Sequence, residues 1–268
     1  MAAADISAAL KPPQKPLGAR AFDWLIWGGV AVLLIISFHP AEVNKFSALF
    51  TGSENMRRFS SEFIRPNFSQ IGDYIGKMWL TIQMALWGTA LAIVIAIPMG
   101  LAGAKNVAPA WLQFPVRRVL DILRAVPDLV VGSIFVVAVG LGPFAGVMAI
   151  AVNTGGVLGK LFAEAVESIE RGPVEGVRAT GAHPLHEIVW AVIPQVAPLW
   201  TSYALYRFES SSRSATVLGL IGAGGIGQAM FDSINSYSFD QTSAIVIVIA
   251  VAVSGIDLLS QVIRGRLI

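Results

Sequence analysis

Cysteine is absent and histidine nearly so: the 268 residues hold no Cys and only His39, His183 and His186. That leaves no disulfide framework, no thiolate metal site and no cysteine nucleophile. Imidazole-based zinc chemistry has almost no ligands to draw on. Charge is scarce as well. Asp, Glu, Lys and Arg make up 13% of the chain, against about 25% in an ordinary soluble domain. The 19 basic and 17 acidic residues leave a net charge of +2, and no run of like charges marks a nucleic-acid arm or an acidic tail. A G-x-x-x-x-G-K-[ST] phosphate loop is also missing.

What the chain does have is apolar residues, 55% of the total, with a mean hydropathy of +0.68. They come in blocks and not at the periods of an amphipathic strand or helix. Too little polar surface remains to cover a soluble core of this size, so the solvent for much of the chain is lipid. A centrally placed charge costs roughly 2.5–3.5 kcal/mol to insert, and about 20 apolar residues are needed to cross. Gaps between charges therefore locate the spans. Six result, at about 24–41, 78–103, 126–141, 144–163, 188–208 and 241–261, with Gly140, Gly142 and Pro143 reading as a tight turn between the third and fourth. The fold class is an all-α integral membrane protein.

An even number of spans puts both termini on one side. The basic residues outside the spans favour that side as the cytoplasm, even with Arg207 and Arg213 counted on the opposite one. Residues 1–23 read as a cytoplasmic lead, and 24–41 as an uncleaved anchor with no small-residue cleavage site after it. Residues 42–75 read as an outer amphipathic segment with Met56, Phe59 and Phe63 at helical spacing.

Residues 164–187 are too long for a turn and are charged in an ordered way, with Glu164, Glu167, Glu170, Gly172-Pro173, Glu175, Arg178, Gly181 and Pro184. They predict a helix leaving the membrane, a break, a short helix and a second break. Such an elbow suits docking. The three acids near its start have no His or Cys neighbours and read as a solvated or docking face, not a metal site.

Here the chain resembles a family. The signature of prokaryotic ABC-transporter permeases is E-A-A, three residues, G, nine residues, I-x-L-P. This sequence has Glu175-Gly176-Val177, Gly181 and Ala191-Val192-Ile193-Pro194 at those spacings, with small or apolar replacements only. Residues 76–263 are the permease core by this resemblance. It implies the type I importer fold and a coupling helix whose residues Glu175, Gly176, Val177, Gly181, Ala182, His183 and Pro184 dock on an ATPase subunit.

A finer resemblance covers roughly residues 75–266. Arg124-Ala125-Val126-Pro127-Asp128, Gly140-Leu141-Gly142-Pro143, Ser202-Tyr203-Ala204-Leu205-Tyr206-Arg207-Phe208-Glu209 and Gly222-Ala223-Gly224-Gly225-Ile226-Gly227 are similar to phosphonate-transporter permeases. The resemblance implies a homodimer in the bacterial inner membrane, two ABC ATPase subunits, a periplasmic phosphonate-binding protein and alternating access. It also implies no cofactor in this chain, with ATP and Mg in the partner ATPase. Phosphate, phosphite and methionine permeases are the neighbouring alternatives. An ion-coupled secondary transporter, the reading from another class, calls for acids at the centre of several spans, and only Glu209 and Asp257 come near one.

Residues 222–227 also satisfy G-x-G-x-x-G, with Asp240 where a ribose-binding acid would stand. A dinucleotide fingerprint needs a βαβ unit, and a membrane span follows here. A non-helical glycine segment at membrane depth must be buried in protein or line a path, so Gly222, Gly224, Gly225 and Gly227 are read as path lining or outer gate. Arg207, Glu209, Ser210, Ser211 and Arg213 follow the fifth apolar block and are read as part of the translocation path. With a helix start near Pro194, Arg207 lies about 20 Å along it, still at membrane depth, where ionisable groups face a cavity or the bundle interior. Glu209 and Arg213 are spaced to pair, which leaves Arg207 free. Guanidinium and hydroxyl donors suit an anionic phosphonate head. Asn153 and Thr154 are secondary candidates for the path.

Overall fold

A computed structural model describes residues 17–46 and 52–267. The chain divides into two units, residues 1–60 and 61–268.

In the first unit, α1 (Leu17–Phe38) carries an apolar run from Trp24 onward with no charge, followed by a short helical turn at Val43–Phe46. It starts earlier than the expected border at residue 24. The rest of the predicted lead, residues 1–16, lies outside the described residues. α2 (Ser53–Phe63) begins in this unit and supplies the helix predicted for the outer segment.

The second unit is built on α3 (Ile71–Gly103), whose 33 residues span about 50 Å at 1.5 Å per residue, well over a hydrocarbon thickness of about 30 Å. Then come α4 (Ala110–Ala125), α5 (Asp128–Val139), α6 (Pro143–Glu167) and α7 (Arg171–Ala179). A turn at Pro184–Glu187 and a π-helical turn at Ile188–Val192 lead into α8 (Ile193–Leu218). α9 (Gly225–Asn235) and α10 (Phe239–Leu267) complete the chain. Among the described residues, α3, α6, the helix through α8 and α10 are long and apolar enough to cross a membrane. α4 and α5 pass the same test only as a pair, bent by 91° at the break between them, as in a broken span or a re-entrant loop.

The expected span at 126–141 is thus not a crossing by itself: α5 has 12 residues and follows a sharp bend. Pro127 is the cause: it disfavours helix at the residue before it, and Val126 is extended at φ −84°, ψ 125°. The break would orphan a partly buried carbonyl. Asn153 Nδ2 fills that need, donating to the Val126 carbonyl at 2.9 Å. The expected span at 188–208 also ends too early. α8 continues through the serines to Leu218, so Arg207 and Arg213 sit inside a helix and are not loop charges.

α6 is the centre of the bundle, and small residues let its neighbours approach. A Cβ on Gly88 of α3 would stand 2.6 Å from Ile150 Cγ2, and one on Gly156 of α6 would stand 2.6 Å from Leu123 Cβ of α4. Between membrane helices, where burial gains nothing over lipid, this close packing is the main attraction. Polar clamps close one end. Arg117 of α4 pairs with Glu167 and donates from Nε to the Gly103 carbonyl at 2.8 Å, and Lys160 of α6 meets Asp121 of α4 at 2.6 Å. At the opposite end Asn67 Nδ2 donates to Asp240 Oδ2 at 3.0 Å, joining the lead into α3 to the start of α10.

Candidate functional site: a cation in the bundle, an elbow and a glycine loop

α8 carries the charged stretch along one side of α6. Thr154 lies near the middle of α6, about 17 Å from its first residue, and fixes the depth of what touches it. Arg207 Nη2 donates to Thr154 Oγ1 at 3.3 Å, and Ser211 Oγ lies 3.3 Å from the same oxygen. Arg207 Nε is buried and has no hydrogen-bond partner. The result is a guanidinium at mid-bundle beside two hydroxyls, forming no salt bridge among the described residues.

The other charges of α8 are used up. Arg213 Nη2 bonds Glu209 Oε1 at 3.2 Å, and its Nη1 reaches Asp257 of α10 at 3.4 Å. Arg264 of α10 bonds Glu209 Oε2 at 3.1 Å. These four groups, two of each sign, form a neutral chain between α8 and α10. The expected i,i+4 pair is there, with two further members that lie 44 and 55 residues away in sequence. Ser214 donates to Asp128 at the start of α5, and Ser210 lines a 260 Å³ pocket with Asp128 and Arg213. Asn153, placed in the path by sequence, is committed to the Val126 carbonyl.

The elbow forms as its sequence suggests. α7 ends at Ala179, and Gly181 reverses the chain at φ +77°, a left-handed conformation that glycine adopts without Cβ strain. His183 caps the next turn by accepting the Leu185 N–H on Nδ1 at 3.3 Å, and Pro184 starts it. Arg178 forks onto Glu187 through Nε at 3.0 Å and Nη2 at 2.8 Å, which closes the elbow. The Glu187 hydrogen bond holds the Arg178 guanidinium above its already high ordinary pKa, so the fork stays cationic at physiological pH. Glu175, Arg178 and Glu187 line a 640 Å³ groove with Arg171 and Val174. Gly176 faces open space.

At the opposite end of the bundle the backbone leaves the helix at Gly222. Gly222, Gly224 and Gly225 have φ of +91°, +83° and +72°. The Gly222 carbonyl accepts the Gly142 N–H at 3.0 Å, and Thr81 Oγ1 of α3 accepts the Ile226 N–H at 2.9 Å. A Cβ on Gly227 would fall 1.8 Å from the Thr216 carbonyl oxygen. Beside this loop lies a 460 Å³ cavity lined by Lys77, Gly142, Gly224, Gln228 and Asp232. Sequence reasoning named the glycines, but it missed Thr81, Arg264 and the role of Asp128. Their partners are distant in sequence, and no local pattern marks them.

Comparison with known proteins agrees with this architecture. Residues 92–268 match the family described as binding-protein-dependent transport system inner membrane component. The chain is 39% identical over 219 residues to the phosphite transport system permease protein PtxC of Stutzerimonas stutzeri, covering 81% of this chain and 80% of that protein. It is also 39% identical over 246 residues to the phosphate-import permease protein PhnE of Mycolicibacterium smegmatis, covering 91% of this chain and 45% of that one. Among solved structures, an inward-facing MetNI methionine ABC transporter matches with a TM-score of 0.65 at 20% identity, covering 72% of this chain and 95% of that chain. That likeness gives the type I importer permease fold. The chain belongs to the binding-protein-dependent transport system inner membrane components, as a permease subunit that leaves ATP hydrolysis to a separate ATPase subunit.

Proposed function

We propose that this permease carries small phosphorus oxyanions of phosphite or phosphate size, with phosphonates taken through the same tetrahedral head. The observation that carries the reading is Arg207, a mid-bundle guanidinium with a buried unpartnered Nε beside the Thr154 and Ser211 hydroxyls. Three anionic or acceptor oxygens on phosphorus suit such donors. The long relatives described as phosphite and phosphate permeases support the same class. A zwitterion such as methionine brings an ammonium that needs a free acid, and the nearby carboxylates Glu209 and Asp257 are tied to arginines.

In this reading two copies enclose the path, and two ATPase subunits dock on the elbow at Glu175 to Pro184. A periplasmic binding protein delivers substrate to the glycine-loop end, with both termini in the cytoplasm. ATP-driven closure of the ATPases moves the elbow and opens the path alternately to each side. Binding at Arg207 stays weak enough for release, as transit requires. The glycine loop serves as the outer gate.

The test is uptake into proteoliposomes holding the permease, its ATPase and its binding protein. Labelled phosphite, phosphate, methylphosphonate and methionine are offered separately. ATP-dependent entry of the phosphorus anions and none of methionine is the expected result. Entry of methionine without any phosphorus anion refutes the proposal.

A further inference from the structure

Gln195 stands one residue past the proline that ends the family signature, and neither the elbow nor the path has used it. Its position follows from a local defect. Pro194 lacks an N–H, and its ring would press on the carbonyl one turn earlier. The chain answers with the π-helical turn Ile188–Val192, in which Ile193 N–H bonds the Ile188 carbonyl five residues back. Backbone carbonyls near such a turn need other donors.

Gln195 Nε2 donates to the Ala191 carbonyl at 2.8 Å and to the Glu170 carbonyl at 3.4 Å, while its Oε1 accepts the Glu170 N–H at 3.1 Å. One amide thus holds both backbone groups of Glu170, the residue directly before α7. The bonds bridge 25 residues of sequence. Apolar contacts run the same way: Ile169 and Val174 pack on the core cluster that contains Phe162, Val192, Val196 and Trp200. Trp200 stacks on Phe162 at 4.5 Å and donates to its carbonyl at 3.3 Å.

We infer that Gln195 is a positioning residue that locks the stem of the elbow to the root of α8, so that a displacement of α7 is passed to the helix carrying Arg207. The inference rests on the reading of α7 to Pro184 as the ATPase dock. Gln195 touches neither the dock face nor Arg207. Without its amide, α7 keeps its own fork from Arg178 to Glu187 but slips against α8. The expected effect is loss of coupling and not loss of binding.

The experiment uses the complete reconstituted transporter and measures substrate moved per ATP hydrolysed. Gln195→Ala is expected to keep the ATPase bound and its basal hydrolysis, and to lower the ratio about ten-fold, the scale of one net hydrogen bond. Gln195→Glu accepts the Glu170 N–H but cannot donate to the two carbonyls, so it is expected to fail similarly. The chain has no native cysteine, so Glu170→Cys with Gln195→Cys can be joined by a short bifunctional thiol reagent. Cross-linking is expected to restore the ratio that the uncross-linked pair has lost, a rescue that a merely structural role would not give. An unchanged ratio in Gln195→Ala, or a cross-linked pair no better coupled than the free one, overturns the inference. Should Gln195→Ala fail to assemble, the cysteine pair alone decides. ATPase binding to Glu175→Arg separates the two readings. Wild-type binding there refutes the dock, while lost binding there with an unchanged ratio in Gln195→Ala refutes only the latch.

Discussion

Replacing Arg207 by Ala tests the proposed path, because the expected effects on folding and on transport differ in size. In the folded chain it makes one long hydrogen bond, 3.3 Å to the Thr154 hydroxyl, and its Nε is buried with no partner. A hydrogen bond from a charged donor contributes about 1.5–3 kcal/mol, and an unsatisfied buried donor costs about 1–3 kcal/mol or more. The two nearly cancel, so Arg207→Ala is expected to insert and assemble as the wild type does. Transport loses more. A hydrogen bond to a charged group contributes about 1.5–3 kcal/mol, which lowers occupancy of the path by an anion roughly ten- to hundred-fold. Initial uptake of labelled phosphite at concentrations below saturation, normalised to permease in the membrane, reads this directly. Arg207→Lys keeps the charge without the planar fork and is expected to fall between the two. Wild-type uptake by Arg207→Ala refutes the assignment. So does an uptake loss that follows loss of assembly alone, since Arg207 would then be a brace.

Arg213→Ala should differ in its effect on folding: it strips Glu209 of one partner and Asp257 of its guanidinium, so thermal stability in detergent is expected to drop, and the negative charge left uncompensated near Arg207 is expected to lower phosphite uptake per assembled transporter. Gly227→Ala should give no folded permease, because the new Cβ would overlap the Thr216 carbonyl; normal expression and size-exclusion behaviour would contradict the geometry of the glycine loop. Asn153→Ala leaves the Val126 carbonyl unpaired in the bend, at a cost of about 1–3 kcal/mol, and should be measurable as a lowered melting temperature that Asn153→Gln does not reproduce in full.

The sequence was most legible where charge is absent. Uncharged blocks gave the cores of α3, α6, the helix through α8 and α10, and two glycine breaks separated α5 from α6 and α8 from α9. It was least legible where charge is present but paired far away. Arg117, Arg118, Asp121 and Arg124 kept residues 110–125 outside the expected spans, yet Arg117 finds Glu167 and Asp121 finds Lys160, so a charged helix is accommodated against the bundle. For the same reason α8 was cut short at residue 208. Ser210 to Ser214 looked like a polar exit from the membrane, but Ser211 and Ser214 spend their hydroxyls on Thr154 and Asp128 of other helices, and Ser212 bonds the Phe208 carbonyl of its own helix. The elbow was readable because its signature is local, with a left-handed glycine and a proline-led turn close together. Gln195 had no such mark, since two of its three bonds, those to Glu170, exist only once the start of α7 meets the root of α8.

The bundle's charge pairing bears directly on how an anion can pass. In a low-dielectric interior any uncompensated charge casts a long field, and a path with many free arginines would hold an oxyanion too tightly to release it. Here Glu209, Arg213, Asp257 and Arg264 cancel one another, and Lys160 is cancelled by Asp121. Among the described residues of α8, this leaves Arg207 as the guanidinium without a carboxylate partner. With a second copy facing it, the path would present two such groups, enough to favour an anion over a neutral solute by a few kcal/mol without a deep trap. Converting Glu209 to Gln tests this balance. It would release Arg213 and Arg264 from their shared partner and add free positive charge beside Arg207. Phosphite is then expected to bind more tightly and leave more slowly, so that uptake saturates at a lower concentration and a lower maximal rate. A variant with unchanged saturation behaviour would mean that the neutral chain lies outside the field felt by the substrate.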